Sequence, residues 1–176
     1  NLHRDGILAV TEVFEGNMAP ASAQAAVHAA KAIADGLAYV GVLCVEFFIV
    51  LDAAGAETLV VNEIAPRPHN SGHYTMDACD LSQFDLQVRT LAGLPLVQPR
   101  QHSPATMLNL LGDLWGAGEP RWAELLALPG MHLHLYGKAE ARPGRKMGHL
   151  NITGPDAATV RSRALQAAAL LGIAPF

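Results

Sequence analysis

Two glutamates lie in consecutive apolar runs, Val42-Leu-Cys-Val-Glu46-Phe-Phe-Ile-Val50 and Leu59-Val-Val-Asn62-Glu63-Ile64. A strand with large apolar side chains on both sides of its pleat is expected to be buried, and a buried carboxylate without a partner costs several kcal/mol. The stretch between the runs, Asp52-Ala-Ala-Gly-Ala, has turn chemistry centred near Ala54 and Gly55. A hairpin with that centre sets Glu46 opposite Glu63, with Cβ atoms roughly 4.5–5.5 Å apart, where like charges repel unless a cation bridges them. A hard ion such as Mg²⁺ suits two carboxylates with Asn62 alongside, because it completes its octahedron with water and nucleotide phosphates. A one-residue slip or a bulge would send one carboxylate to solvent instead.

The second run leads into Ala65-Pro-Arg67-Pro-His69-Asn70-Ser-Gly-His73. Prolines on both sides of Arg67 force extended geometry, so its guanidinium can be aimed at an anion with little entropy to lose. His69 and Asn70 can hydrogen-bond a phosphate, a carboxylate or a small polar substrate. The plainer alternative is a polar loop stabilised by its own side chains. A second cluster, Lys138-Ala-Glu-Ala-Arg142-Pro-Gly-Arg145-Lys146-Met-Gly-His149, gathers four basic residues around a Pro-Gly turn. Such a turn fits a single phosphate group, although a solvated basic hairpin would look the same. His132, His134 and Tyr136 alternate with leucines and share a strand face, where half-exposed polar residues need no ligand role.

The elements that must position these groups follow from pattern and punctuation. Arg4-Asp-Gly6 is a turn ahead of a strand over 7–13. An Ala-rich helix runs from Pro20 to Leu37, with Val27, Ala30, Ile33, Ala34 and Leu37 at helical spacing and Pro20 suited to its first turn. After the two glutamate strands, Met76 to Leu91 forms one helix ending near Gly93, and the three prolines of Gly93–Pro104 make a crossing segment. Strands follow over 106–111, 131–136 and 147–153, with a small helix from Trp122 to Leu126. Asp156 caps a last helix carrying Val160, Ala164, Ala168 and Leu171 on one face. The fold class expected is α+β, divided into residues 1–97 and 98–176.

With 176 residues, 51% of them hydrophobic, the chain can bury a real core. A net charge of −4 gives no basic excess for a nucleic-acid backbone. No apolar run is long enough to span a bilayer. Cys44 and Cys79, the second in the expected helix, form no disulfide framework and no metal-ligand spacing, which leaves a reducing cytoplasm as the default. The opening Asn1-Leu-His-Arg has neither an initiator Met nor signal-peptide character, so the chain is expected to be the C-terminal portion of a longer protein.

Asn62-Glu-Ile-Ala-Pro-Arg-Pro-His-Asn-Ser-Gly-His73, Ser82-Gln-Phe84 and Gly93-Leu-Pro-Leu96 together resemble the C-terminal half of the N5-carboxyaminoimidazole ribonucleotide synthases, ATP-grasp enzymes of purine biosynthesis. Asn1–Leu8, Tyr39–Val42 and Arg142–His149 extend the match over nearly the whole chain. The resemblance implies an ATP-grasp half followed by a small C-terminal domain. It implies Glu46 and Glu63 as Mg²⁺ ligands, and His3, Asn62 and Glu63 as ATP contacts. Arg67, His69 and Asn70 would line the chamber where bicarbonate, activated by ATP as carboxyphosphate, yields CO₂ for the amine of aminoimidazole ribonucleotide. Lys138 and Arg145, with Arg142, would hold that ribonucleotide's 5′-phosphate, and His73 would contact it. A cytoplasmic homodimer acting on small molecules is implied as well, with no nucleic acid and no membrane. The family's nucleotide-binding region and lid lie outside these residues, so the chain alone is expected not to turn over. Two rivals remain. Formate-dependent glycinamide ribonucleotide transformylase has a related loop but typically reads Asp-Thr-Gly where this chain reads Asn70-Ser-Gly; a non-catalytic dimerisation remnant would keep only the Ala-rich faces.

Overall fold

The computed structural model describes residues 1–176. The class is the expected α+β, built on a five-stranded antiparallel sheet and a separate two-stranded hairpin. No helix is long and apolar enough to cross a membrane.

The chain opens with a tight hairpin, β1 (Leu2–Arg4) and β2 (Ile7–Val13), joined through Asp5 and Gly6. Both turn residues have positive φ, 48° and 75°, as a two-residue loop matched to strand twist requires. Strand β2 then pairs with β5 (Ala105–Leu111), β5 with β7 (Lys146–Thr153), and β7 with β6 (Met131–Leu135). The expected division between residues 97 and 98 therefore separates β1 and β2 from the rest of their sheet, across the β2–β5 pairing. It divides the chain but not the sheet.

The two faces of this sheet differ in kind. Leu108, Leu110, Leu150 and Ile152 point to one face and pack with Val10 under α4 (Trp122–Leu126) and α5 (Ala157–Leu171). Asp156 caps α5 by accepting from the Thr159 N–H at 2.7 Å, and Val160, Ala164, Ala168 and Leu171 all enter the core as the pattern predicts. Met107, Asn109, His149 and Asn151 alternate to the opposite face and are buried there too. A buried polar face needs internal partners. Asn109 finds one in the Leu8 carbonyl at 2.8 Å, and the others meet the loop and helix that follow the glutamate hairpin.

That hairpin is β3 (Cys44–Leu51) and β4 (Glu57–Ala65). Here the structure departs from expectation. Phe48, Ile49, Val50, Leu51, Val60 and Val61 are exposed rather than buried on both sides, because two strands and one helix offer no second layer. The helix is α1 (Pro20–Gly36), which lies over β3 and β4 with Pro20 in its first turn. It buries no residue fully; Val27 and Leu37 are exposed, and Ala26, Ala29, Ala30, Ile33 and Ala34 are half-buried.

The expected helix from Met76 to Leu91 is two helices, α2 (Thr75–Ala78) and α3 (Gln83–Leu91). Cys79 is extended, at φ −125° and ψ 156°, and bridges to Gln101, so it is not helical. Ser82 restarts the helix with a reciprocal capping box: its hydroxyl accepts from the Asp85 N–H and its own N–H donates to the Asp85 carboxylate.

Candidate active site

Glu46 and Glu63 are paired across β3 and β4, but not by the turn alone. The turn pairs Leu51 with Glu57 and Phe47 with Val61, a register that would bring Asn62 opposite Glu46. A bulge between Glu46 and Phe47 absorbs one residue of β4 and brings Glu63 into the opposing position. A bulge thus aligns the carboxylates instead of sending one away. Asn62 is set beside them, its amide 3.4 Å from Glu46 Oε2. Asp52 holds the turn by accepting from the Ala54 and Ala56 N–H groups at 2.8 and 2.9 Å.

Glu46 is 9% exposed and Glu63, at the rim, 50%. His69 stands between them, its Nδ1 3.7 Å from Glu46 Oε1 and its Nε2 4.0 Å from Glu63 Oε2. His3, brought in by β1, places Nε2 4.0 Å from Glu46 Oε2. No donor hydrogen-bonds the buried Glu46 Oε1. His3, Glu46, Asn62 and His69 line an open cleft of about 770 Å³ between α1, the hairpin and the His69 loop, in the size range of ligand sites, and Glu63 stands outside that lining. The donor set is mostly oxygen and lies at the cleft, so Glu46, Glu63 and Asn62 fit a hard divalent cation.

Asn70 lies next to His69, buried, with neither its side-chain Nδ2 nor its side-chain Oδ1 partnered. Arg67 is exposed and donates to the Pro68 carbonyl at 3.0 Å, a bond a ligand anion can replace. The loop carrying these residues is clamped by Gln83 of α3. Its Oε1 accepts from the His69 N–H at 2.8 Å, and its Nε2 donates to the His69 carbonyl at 2.8 Å. A Cβ at position 72 would lie 2.6 Å from Gln83 Oε1, which explains Gly72.

His73 turns away from the cleft toward the polar face of the sheet. It contacts Gln83 Nε2 through Nδ1 at 2.9 Å and packs on His149, with ring centroids 4.6 Å apart. His149 in turn stacks on His134 at 4.5 Å and meets the Tyr136 hydroxyl through Nδ1 at 2.9 Å. Either tautomer leaves His149 Nε2 unpartnered. Asp77 of α2 accepts from Asn151 at 2.6 Å and pairs with His134 Nε2 at 2.8 Å. Burial, reinforced by the neighbouring cations and imidazoles, pushes His73 down to about 4 and His149 to about 3. Burial also pushes the Tyr136 hydroxyl up to about 12. His132, His134 and Tyr136 do share a strand face, yet they are bonded into this network rather than idle on a wet surface.

The basic cluster lies on the β6–β7 connection. Lys138 stands over the Tyr136 ring, 5.5 Å from its centroid, and donates to the Lys146 carbonyl. Arg142 pairs with Glu140, and Arg145 donates to the Glu140 carbonyl at 2.9 Å. The turn rests on Gly112, whose N–H donates to the Arg145 carbonyl at 2.8 Å and where a Cβ would meet the Arg142 carbonyl oxygen at 2.2 Å. The structure therefore gathers His3, Glu46, Asn62 and His69 at one cleft, with Glu63 beside His69, and holds Lys138, Arg142 and Arg145 in a separate group. A chain of contacts through Tyr136, His149, His73 and Gln83 joins the two. The sequence marks Gln83 only as part of the Ser82-Gln-Phe84 motif, with no role, and assigns none to Asp77 or Asn151. The Ser82-x-x-Asp85 capping pattern marks the start of α3, but no local pattern aims Gln83 at a loop fourteen residues away.

Two family models match: an ATP-grasp domain over residues 1–84, and a phosphoribosylaminoimidazole carboxylase C-terminal domain over residues 105–163. The N5-carboxyaminoimidazole ribonucleotide synthases of Brucella melitensis and Escherichia coli are 45% and 44% identical to this chain over 88% and 89% of it. The chain belongs to the N5-carboxyaminoimidazole ribonucleotide synthase family. It spans about 40% of the length of those two relatives. Among solved structures, the N5-carboxyaminoimidazole ribonucleotide synthetase of Thermus thermophilus superposes with a TM-score of 0.87 at 36% identity, covering 100% of this chain and 46% of that one. The synthase of Aspergillus clavatus, in complex with ADP and 5-aminoimidazole ribonucleotide, superposes at 0.80 with 34% identity, covering 97% of this chain and 46% of its own. Over the parts that superpose, both share the fold described above.

Proposed function

We propose that this chain supplies the metal-binding and acceptor-binding part of an ATP-dependent carbon–nitrogen ligase that carboxylates aminoimidazole ribonucleotide with bicarbonate, giving N5-carboxyaminoimidazole ribonucleotide, ADP and phosphate. The observation that carries this reading is the buried Glu46 oxygen without a donor, at the end of a bulged hairpin that sets Asn62 and Glu63 beside it. Glu46 and Glu63 would hold Mg²⁺, with Asn62, Glu63 and His3 toward the nucleotide. When bound, the metal neutralises phosphate charge and orients the γ-phosphoryl group. His69, Asn70 and Arg67 would then bind and orient the carboxylating species. The unpartnered Asn70 amide can both donate to and accept from it, and Arg67 can leave the Pro68 carbonyl to pair with an anion. Lys138, Arg145 and Arg142 would hold the ribonucleotide phosphate, and His73 would act from beneath the acceptor site through His149 and Tyr136.

Residues 1–97 would serve the nucleotide and residues 98–176 would close the ribonucleotide site, with β1 and β2 tying the two together. The same reading carries small-molecule partners and a homodimer, and the two free cysteines fit a reducing cytoplasm. The test is phosphate release from ATP by the chain joined to the segment that precedes it in its relatives. Release that requires both bicarbonate and aminoimidazole ribonucleotide is expected. Release that requires formate and glycinamide ribonucleotide, or no Mg²⁺-nucleotide binding at all, would overturn the reading.

A further inference from the structure

The spacing of the cysteines gave no sign of metal chemistry, yet the fold sets one of them against Glu46 and His69. The ligand atoms of Cys44, Glu46 and His69 all lie within 4.8 Å of one another. Cys44 and Glu46 are two apart on β3 and share a strand face; His69 arrives from the loop after β4. Tetrahedral ligands at bond lengths of roughly 2.0–2.3 Å stand ~3.3–3.8 Å apart, so closing the triad takes rotamer-scale adjustment around a 3.7 Å His69–Glu46 pair. The second observation is again Glu46 Oε1, buried and unpartnered on the His69 side of its carboxylate.

We infer that Cys44, Glu46 and His69 form a site for a soft divalent cation of the Zn²⁺ type, with the fourth position open to water. Thiolate, imidazole and carboxylate donors together select such ions over Mg²⁺, which takes oxygen ligands and binds thiolate poorly. Glu46 is then common to two ligand sets: an oxygen set with Asn62 and Glu63 for a hard ion, and a mixed set with Cys44 and His69 for a soft one. The two ions exclude each other, so a soft cation blocks the hard-ion site. That blocking rests on the function proposed above; the binding itself does not. Because the thiol gives up its proton on binding, uptake releases acid.

The test is a Co²⁺ titration of the metal-free, reduced chain. A thiolate-to-cobalt charge-transfer band saturating near one ion per chain is expected. Cys44→Ser should abolish the band, Cys79→Ser should leave it, and Glu46→Gln and His69→Gln should each weaken binding more than about tenfold. Absence of the band, its survival in Cys44→Ser or its loss in Cys79→Ser would overturn the proposal. The unaltered chain offers a check that depends on no variant. Bound Zn²⁺ should slow alkylation of Cys44 at least about tenfold while leaving Cys79 unaffected, and equal rates at Cys44 with and without Zn²⁺ would refute the site. Ligase assays are not involved, so failure here leaves the carboxylation reading untouched.

Discussion

Acidification should destabilise this fold through His149. The ring is 2% exposed, stacked between His73 and His134, and held near 3 against an ordinary value of 6.5. Between those values the unfolded chain binds a proton that the folded chain refuses, so stability rises with pH across the window. The contribution is fully present above 6.5 and is lost as the pH falls toward 3. From pH 7 to pH 5 an unfolded-state histidine takes up about 0.7 of a proton while His149 takes up almost none, and integrating the difference gives about 2 kcal/mol. His73, pushed down to about 4 chiefly by burial, adds a loss of the same sign. Urea unfolding of the native chain and of His149→Gln at pH 7, 6 and 5 isolates the effect, since all other groups titrate in both. The native chain should lose about 2 kcal/mol more than the variant over this range. Parallel losses, or an NMR titration of the His149 ring centred near 6.5, would refute the assignment of a neutral, buried imidazole.

Other changes probe the remaining parts. Gln83→Leu leaves the buried His69 N–H and carbonyl without their partner and should cost about 2–4 kcal/mol, read by urea unfolding, with faster amide exchange at His69. Glu46→Gln removes a buried charge that faces Glu63 and has one oxygen without a hydrogen-bond donor. It should raise thermal stability by about 1 kcal/mol while weakening Mg²⁺-ADP binding more than about tenfold in calorimetry. Gly112→Ala drives a methyl group into the Arg142 backbone. It should cost about 1–3 kcal/mol in chemical unfolding and weaken ribonucleotide binding by displacing the Arg142–Arg145 turn, whereas Gly116→Ala, with its nearest neighbour at 3.3 Å, should do neither.

Local patterns made much of the fold legible. The Asp156 cap and the spacing of Val160, Ala164, Ala168 and Leu171 needed only helical periodicity, and the Asp5-Gly6 turn needed only its two residues. The pairing of Glu46 with Glu63 was legible as well, although for a different reason: the turn is one residue out of step, and the bulge corrects it. Non-local features were harder to read. The apolar runs of β3 and β4 implied burial, but burial depends on how many layers surround a strand, and this hairpin has one helix on it. Met76–Leu91 has helical spacing throughout, and only the bridge from Cys79 to Gln101 with the Ser82 cap breaks it.

By itself, then, the sequence determined the kinds of chemistry available: two carboxylates on neighbouring strands, an Arg-Pro-His-Asn loop following directly, and a basic Pro-Gly turn. These are short-range facts, set by strand alternation and turn residues. Tertiary structure alone decided which groups meet. It placed His3 beside Glu46 and His69 against Cys44 and Glu46, clamped His69 with Gln83, and stacked His73 on His149 under Asp77. Those contacts join residues from 3 to 149, and they arise because β2 and β5 share a sheet whose buried polar face must find its partners within the protein.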